Sequence, residues 1–358
     1  MNVLILGFGE ITPGGWTNPQ WMASTMASAQ YDVTYVNPPA YRLPKPSDFK
    51  RLLFRLKPAK DLVNFKVINL YYPFKFLSRL FNPTLKERLN ESDIVIVFHP
   101  NWLRCVDFRL LNQKKIIYFK TDDYGSFSKE KSYIHFAEKD LVNLANNVCV
   151  TSKNLLRGLK HEIYCPNCIP AYLLEGRPIG EIIKEKMDKN RFNVCYVGAI
   201  WDDKVDVRML IDAVKNINKF HFHFAGKVIS TEFLNFIRSS DSTNISYHGV
   251  LPFDKGFELM AACDVGLMPF VVNKYTDSMF SMKFFEYVAA GTPIMSTNIK
   301  MLEYLEDFLN VIEVSDVIDA DGLLSAKFLS EYIDGSVHKL HNYTYESRLL
   351  NLKRLKVL

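Results

Sequence analysis

Short apolar runs recur along this chain, each closed by a polar or glycine-rich break and followed by enough residues for a helix. They fall at 1–6, 33–36, 67–70, 94–98, 116–119 and 148–150. A strand with one face in water alternates apolar and polar residues. A run without alternation is buried on both faces, the condition of a parallel sheet covered by helices. A second series of the same kind follows at 193–197, 222–225, 245–247, 265–268, 294–297 and 310–314. The pattern predicts an α/β chain of two tandem Rossmann-like domains, and 358 residues suffice for two cores of ordinary size. Residues 163–170 read as a strand leaving the first domain and Asp188 to Arg191 as a polar break. The boundary therefore lies near 170–190, with domains at 1–175 and 176–340.

The first run leads into Gly7-Phe8-Gly9 and then Gly14-Gly15, a flexible loop before a helix around 20–29. Its glycines lack the G-x-G-x-x-G spacing and Pro13 interrupts them, so a dinucleotide fingerprint is weakly supported. The loop either faces a ligand or simply needs positive φ, and Trp16 and Asn18 are candidates to line a cleft beside it.

The net charge is only +5, but residues 41–90 hold twelve Lys or Arg against three Asp or Glu, interleaved with Phe49, Phe54, Phe65, Tyr71 and Tyr72. Within this stretch Pro46-Ser47 opens an amphipathic helix, with Phe49, Leu52, Leu53 and Leu56 on one face and Lys50, Arg51, Arg55 and Lys57 on the other. It is either an ordinary surface helix or one that touches an anionic membrane surface. Nucleic acid is the weaker partner, because the stretch carries no recognised nucleic-acid motif.

No apolar run is long enough to span a bilayer, and Met1-Asn2-Val3-Leu4 reads as a first strand rather than a signal peptide. The expected location is the cytoplasm. Six scattered cysteines suit buried free thiols in a reducing compartment. Cys165-Pro166-Asn167-Cys168 is formally a C-x-x-C, without the context of a redox motif or a second ligand pair for zinc.

Polar chemistry at fixed spacing is concentrated in residues 281–297. Lys283 and Glu286 share a face of a helix that starts near Ser281. Phe284, Phe285, Val288 and Ala289 supply its buried stripe, Gly291 ends it and Pro293 forbids its continuation. The amides of such a helix start, with a lysine, attract an anion, and the carboxylate one turn on accepts from hydroxyls. A phosphate joined to a sugar fits that pair. Asp122 and Asp123 follow the run at 116–119, at the carboxyl end of a strand where open α/β sheets bind ligands. They are candidates for acid–base chemistry, for capping the next helix, or, least well supported, for holding a metal through a pyrophosphate.

With these residues in line, the chain resembles the GT-B glycosyltransferases, particularly the bacterial group that includes the xanthan glucuronosyltransferase and the teichuronic acid and capsule enzymes. Cys195-Tyr196-Val197-Gly198-Ala199-Ile200-Trp201 resembles that group's Gly-Ala-Ile loop. His248 to Pro252, continuing through Asp264-Val265-Gly266-Leu267-Met268-Pro269-Phe270, is similar to the widespread strand–helix–strand pattern. Residues 281–297 resemble the donor-binding Lys-x-x-Glu-Tyr-x-Ala-x-Gly-x-Pro segment. Tyr118 to Tyr124 resembles the strand-end aspartate motif, Pro166-Asn167 the interdomain Pro-Asn, and 343–348 the helix that crosses back to the first domain. The likeness is strong in the second half and loose before residue 90.

The resemblance implies a cleft between the two domains and a C-terminal helix, about 340–358, packed on the first. Carried over residue by residue, Ser281, Met282 and Lys283 meet the donor phosphates, Glu286 accepts from ribose or sugar hydroxyls, Gly198 lets the backbone approach the pyrophosphate, and Trp201 lies on the same donor loop. The commoner retaining pattern has an arginine at position 199 and a glutamate at 278. Here these are Ala199 and Ser278, while Lys204 stands where a phosphate lysine is expected. This favours the group in which an aspartate of the first domain, Asp122 or else Asp123, is the base. The implied reaction moves a sugar from a nucleotide sugar, UDP-linked, to a lipid-linked saccharide at the inner face of the membrane. No cofactor or metal is required. A nucleotide-sugar epimerase and a non-catalytic partner of another transferase are the alternative readings.

Overall fold

A computed structural model of the chain describes residues 1–11, 16–38, 63–70, 83–106, 108–124, 131–175, 183, 185, 187–239, 241–305, 311–313 and 337–358. The glycines at 14–15, the amphipathic helix expected from residue 46 and most of the basic, aromatic stretch over 41–90 lie outside these residues. The chain forms two compact units, Met1–Pro166 with Arg348–Leu358, and Asn167–Ser347.

In the first unit the apolar runs become seven strands: β1 (Asn2–Leu6), β2 (Asp32–Asn37), β3 (Lys66–Asn69), β4 (Ile94–Val97), β5 (Lys115–Lys120), β6 (Asn147–Val150) and β7 (Glu162–Tyr164). All pair in parallel, in the order β3-β2-β1-β4-β5-β6-β7. The strand expected over 163–170 is shorter and earlier, since regular pairing with β6 stops at Tyr164.

Burial on both faces accounts for the missing alternation. Val3 and Ile5 join one core with Met22 and Met26 of helix α1 (Asn18–Ser28). Leu4 and Leu6 join the opposite core with Leu85 and Leu89 of α2 (Pro83–Glu91) and Leu141 of α3 (Lys131–Leu144). Helix α1 starts two residues ahead of expectation because Pro19, in its first turn, has a fixed φ suited to that place. Asn18 is occupied structurally: its side chain is buried and accepts from Arg348 Nη1 at 2.6 Å. Trp16 packs edge-on against Trp21, with ring centroids 4.8 Å apart.

The second unit repeats the plan with β8 (Phe192–Val197), β9 (Phe220–Ala225), β10 (Ile245–Tyr247), β11 (Val265–Met268), β12 (Ile294–Ser296) and β13 (Val311–Glu313), all parallel in the order β10-β9-β8-β11-β12-β13. Helices α4 (Val207–Asn216), α5 (Thr231–Ser239), α6 (Phe253–Ala262), α7 (Lys274–Ser278) and α8 (Met282–Ala289) connect them. Asp206 starts α4 by accepting from the Met209 amide at 3.0 Å. The core is rich in aromatic residues, with Tyr196, Phe220, Phe222, Phe224, Phe284, Phe285 and Tyr287 all buried.

The order reverses between β8 and β11, which makes their carboxyl ends the switch point where doubly wound sheets bind ligands. The chain enters this unit at Asn167, ahead of the expected break. From Arg348 the last helix, α9 (Tyr345–Arg354), belongs to the first unit, where Leu349, Leu352 and Val357 are buried in its core. Among the described residues no helix is long and apolar enough to cross a membrane.

Candidate functional site

Two loops leave the switch point of the second unit. One follows β8 and carries Gly198 and Trp201; the other follows β11 and delivers the chain through α7 to Ser281 and α8. They are tied to each other by a Val205–Phe270 bridge and by the Asp206 amide, which donates to the Pro269 carbonyl at 2.8 Å. Asn273 adds a bond from its side-chain amide to the Asp203 carbonyl at 3.0 Å, and the Trp201 ring rests 5.8 Å from that of Tyr275.

Helix α8 begins as its sequence predicts, one residue later than Ser281, which is its N-cap and makes no side-chain capping bond. The Ser281 side chain leaves the helix start to other partners, and a helix N-terminus of this kind suits an anion. The Ser281 amide itself is occupied by the Met301 sulfur at 3.3 Å. The helix is fixed from behind by Phe284, Phe285 and Val288, all buried, and by the Tyr287 hydroxyl, which donates to the Cys195 carbonyl of β8 at 3.1 Å. Gly291, at φ +70°, takes the left-handed turn that ends it.

Lys283 and Glu286 do share one face, and they are bonded to each other. The Glu286 side chain is 5% exposed and that of Lys283 is 22% exposed, so Lys283 is the partner more open to solvent. The anion site expected at Lys283 and the hydroxyl acceptor expected at Glu286 are therefore joined in one ion pair. A diphosphate arriving at Lys283 would compete for the ammonium and release the carboxylate for hydroxyl donors. Ser278, which stands where the retaining pattern has a glutamate, is buried, and its hydroxyl donates back to the Tyr275 carbonyl at 2.8 Å.

Three contributors escaped the sequence reading. The Tyr196 hydroxyl donates to the Ala199 carbonyl at 3.1 Å, under Gly198, and its pKa is raised by burial and then by the charge of Glu286. It thus braces the loop that carries Gly198. Asn167, seen in the sequence only as part of Pro-Asn, donates to the Phe280 carbonyl at 2.6 Å and fixes the residue before the N-cap. Gly226 ends β9 beside Gly198. Its amide donates to the Gly249 carbonyl at 2.7 Å, and only a residue without a side chain fits there. A glycine closing an aromatic strand, as Gly198 closes β8, was the one available signal for it.

In the first unit Asp122 and Asp123 sit just past β5, both partly exposed. Thr121 donates to Asp122 Oδ2 at 3.1 Å. Behind them a buried Glu138 pairs with Lys120 at 3.3 Å and accepts from Tyr118 at 3.1 Å. His99, past β4, accepts the Asn101 amide on Nδ1 at 3.0 Å, and burial lowers its pKa to about 4. The six cysteines are all free and buried, so Cys165 and Cys168 form no disulfide.

Two doubly wound parallel domains in one chain, with loops suited to an anion at the second switch point, define the GT-B class of fold. HepE of Anabaena, solved in complex with UDP, matches over the full length of both chains with a TM-score of 0.70 at 14% identity. Sucrose-phosphate synthase of Thermosynechococcus elongatus matches 99% of this chain and 98% of its own with a TM-score of 0.73 at 13% identity.

Within that fold, residues 191–324 match the family model described as Glycosyl transferases group 1, and this stretch contains Gly198, Trp201 and the α8 residues from Ser281 to Glu286. TuaH of Bacillus subtilis (strain 168), named as a teichuronic acid biosynthesis glycosyltransferase, is 26% identical over 104 residues, 29% of this chain. That match spans 26% of the length of TuaH.

Proposed function

We propose that the chain is a glycosyltransferase that moves a sugar from a UDP-linked donor to a hydroxyl of a lipid-linked saccharide. The observation that carries this is the Lys283–Glu286 pair at the start of α8, at the switch point and inside the stretch that matches group 1 glycosyl transferases. HepE, described with UDP, supports the choice of nucleotide.

Lys283 and the α8 amides stabilise the charge that builds on the departing diphosphate, in the role that a divalent ion fills elsewhere. Glu286 accepts from ribose or sugar hydroxyls. Gly198 admits the pyrophosphate to the backbone. Asp122, with Asp123 as second candidate, takes the acceptor proton as the new glycosidic bond forms. The basic stretch over 41–90 holds the enzyme on anionic lipid at the inner face of the membrane, beside its acceptor.

A thermal-shift series with UDP, GDP, dTDP and CMP tests the donor site, because a ligand of the native state alone raises its melting temperature. UDP is expected to give the largest shift in the wild type and in Asp122→Asn, and Lys283→Ala is expected to lose most of it. Asp122→Asn is expected to cut sugar transfer by about 100-fold or more. A shift from UDP that survives Lys283→Ala intact would remove the donor assignment. Consumption of a UDP-sugar without UDP release would favour the epimerase.

A further inference from the structure

Asp122 stands at the end of a short relay of hydroxyl groups that anchors it to both neighbouring strands. Tyr124 folds back so that its hydroxyl donates to the carbonyl of Phe98, the residue after β4, at 2.9 Å. The same hydroxyl is 2.7 Å from Thr121 Oγ1, and Thr121 donates to Asp122 Oδ2 at 3.1 Å. From the other side Thr151, just past β6, donates to the Thr121 carbonyl at 3.1 Å. Thr121 and Tyr124 are both buried, and the Tyr124 ring lies 4.4 Å from that of His99. His99 is neutral near pH 7 and brings no charge to this place.

The hydrogen count shows what the relay favours. Two hydroxyl hydrogens serve Asp122 Oδ2, the Phe98 carbonyl and one of the two hydroxyl oxygens. When the carboxylate is ionised, the Thr121 hydrogen goes to Asp122 and the Tyr124 hydrogen to Phe98 or Thr121. When the carboxyl takes a proton, the Thr121 hydrogen can rotate to the Tyr124 oxygen, and Tyr124 donates to Phe98. The relay therefore stabilises the ionised form and yields without moving a heavy atom when the proton arrives.

We propose that Thr121 and Tyr124 are positioning residues for the proton transfer: Thr121 holds one oxygen of the Asp122 carboxylate in a fixed direction, and Tyr124 fixes Thr121 by tying it to β4. This rests on the reading of Asp122 as the base. Among the described residues, the other titratable groups near Asp122 include Asp123, next to it in the chain, and Tyr118, whose own pKa is raised by burial first and by the charges of Glu138 and Asp122 among the lesser causes. Glu138 is engaged by Lys120 and Tyr118.

The test is a carboxyl titration of the full chain with carbon-13 aspartate, the Asp122 signal being identified by its loss in Asp122→Asn. Thr121→Val is expected to raise the midpoint by about one pH unit, Tyr124→Phe by less, and Thr121→Ser to restore the wild-type value. With UDP-glucose as donor and water as acceptor, Thr121→Val and Tyr124→Phe are expected to slow UDP release about tenfold with KM changed less than twofold. A midpoint that stays put in both variants overturns the proposal whatever the rates do. The base reading fails separately, if Asp122→Asn releases UDP as fast as the wild type while Thr121→Val still moves the midpoint.

Discussion

A β-carbon on Gly226 would stand 2.1 Å from the carbonyl oxygen of Gly198. The two glycines close neighbouring strands, and Gly226 holds φ at +132°, a conformation that side chains oppose on their own. The obstacle is backbone and cannot rotate away. Gly226→Ala is expected to cost about 2–4 kcal/mol and to push the Gly198 loop from its place, weakening UDP binding at least about tenfold. Gly158, at φ +76° with open space around it, is the control, where alanine costs about 1–2 kcal/mol and leaves UDP binding unchanged. Calorimetry on both variants separates strain from contact. Equal melting temperatures for the two would show that the close approach is not rigid.

Acid is expected to weaken the second unit through His223. This imidazole is fully buried in β9, with Nε2 3.0 Å from Asn193 Oδ1 and Nδ1 3.0 Å from His248 Nε2. Asn193 Oδ1 also accepts the Asp188 amide, so His223 donates through Nε2 and accepts from His248, and protonation would set two N–H groups against each other. Burial first, then the neighbouring His221 and His248, lowers its pKa to about 3, while Asp188 works weakly in the other direction.

The sign follows from where the protons go. Above about pH 6.5 neither state is protonated and there is no penalty. Below it the unfolded chain binds a proton that the native chain refuses, so stability falls until pH reaches about 3. Between pH 7.5 and 5.5 this one group costs about 1.4 kcal/mol. His223→Gln should shrink the acid-induced drop in melting temperature, and an unchanged drop would clear His223 of the effect.

The charge of the basic, aromatic stretch over 41–90 carries a prediction of its own. Sedimentation with anionic vesicles is expected at about 0.05 M salt and is expected to be lost at about 0.5 M, with little binding to neutral vesicles at either. Indifference to lipid charge and to salt would end the membrane role.

Local features were legible to the degree that neighbours in sequence settle them. The buried face of α8, its end at Gly291 and the shared face of Lys283 and Glu286 follow from helical spacing alone. The mutual ion pair was not foreseen, because spacing says which side chains can meet and not whether a third group keeps them apart. Asn18 looked like a ligand-facing loop residue, yet its partner is Arg348, over three hundred residues away in sequence. The Tyr124 hydroxyl likewise gains its meaning only from the carbonyl of Phe98, just past a strand that its own segment does not predict.

The sequence by itself determined the strands, the doubly wound class and the position of the anion-suited helix, because burial on both faces and helical period are written in adjacent residues. Tertiary structure alone decided the strand orders, with their reversals at β1/β4 and β8/β11. It brought Gly226 against Gly198 and let Asn167 anchor the start of α8. Those contacts join residues far apart in the chain through hydrogen bonds and steric exclusion, which have no local signature. A strand's apolar run shows that it is buried; which strand lies beside it is chosen by the packing of the whole sheet.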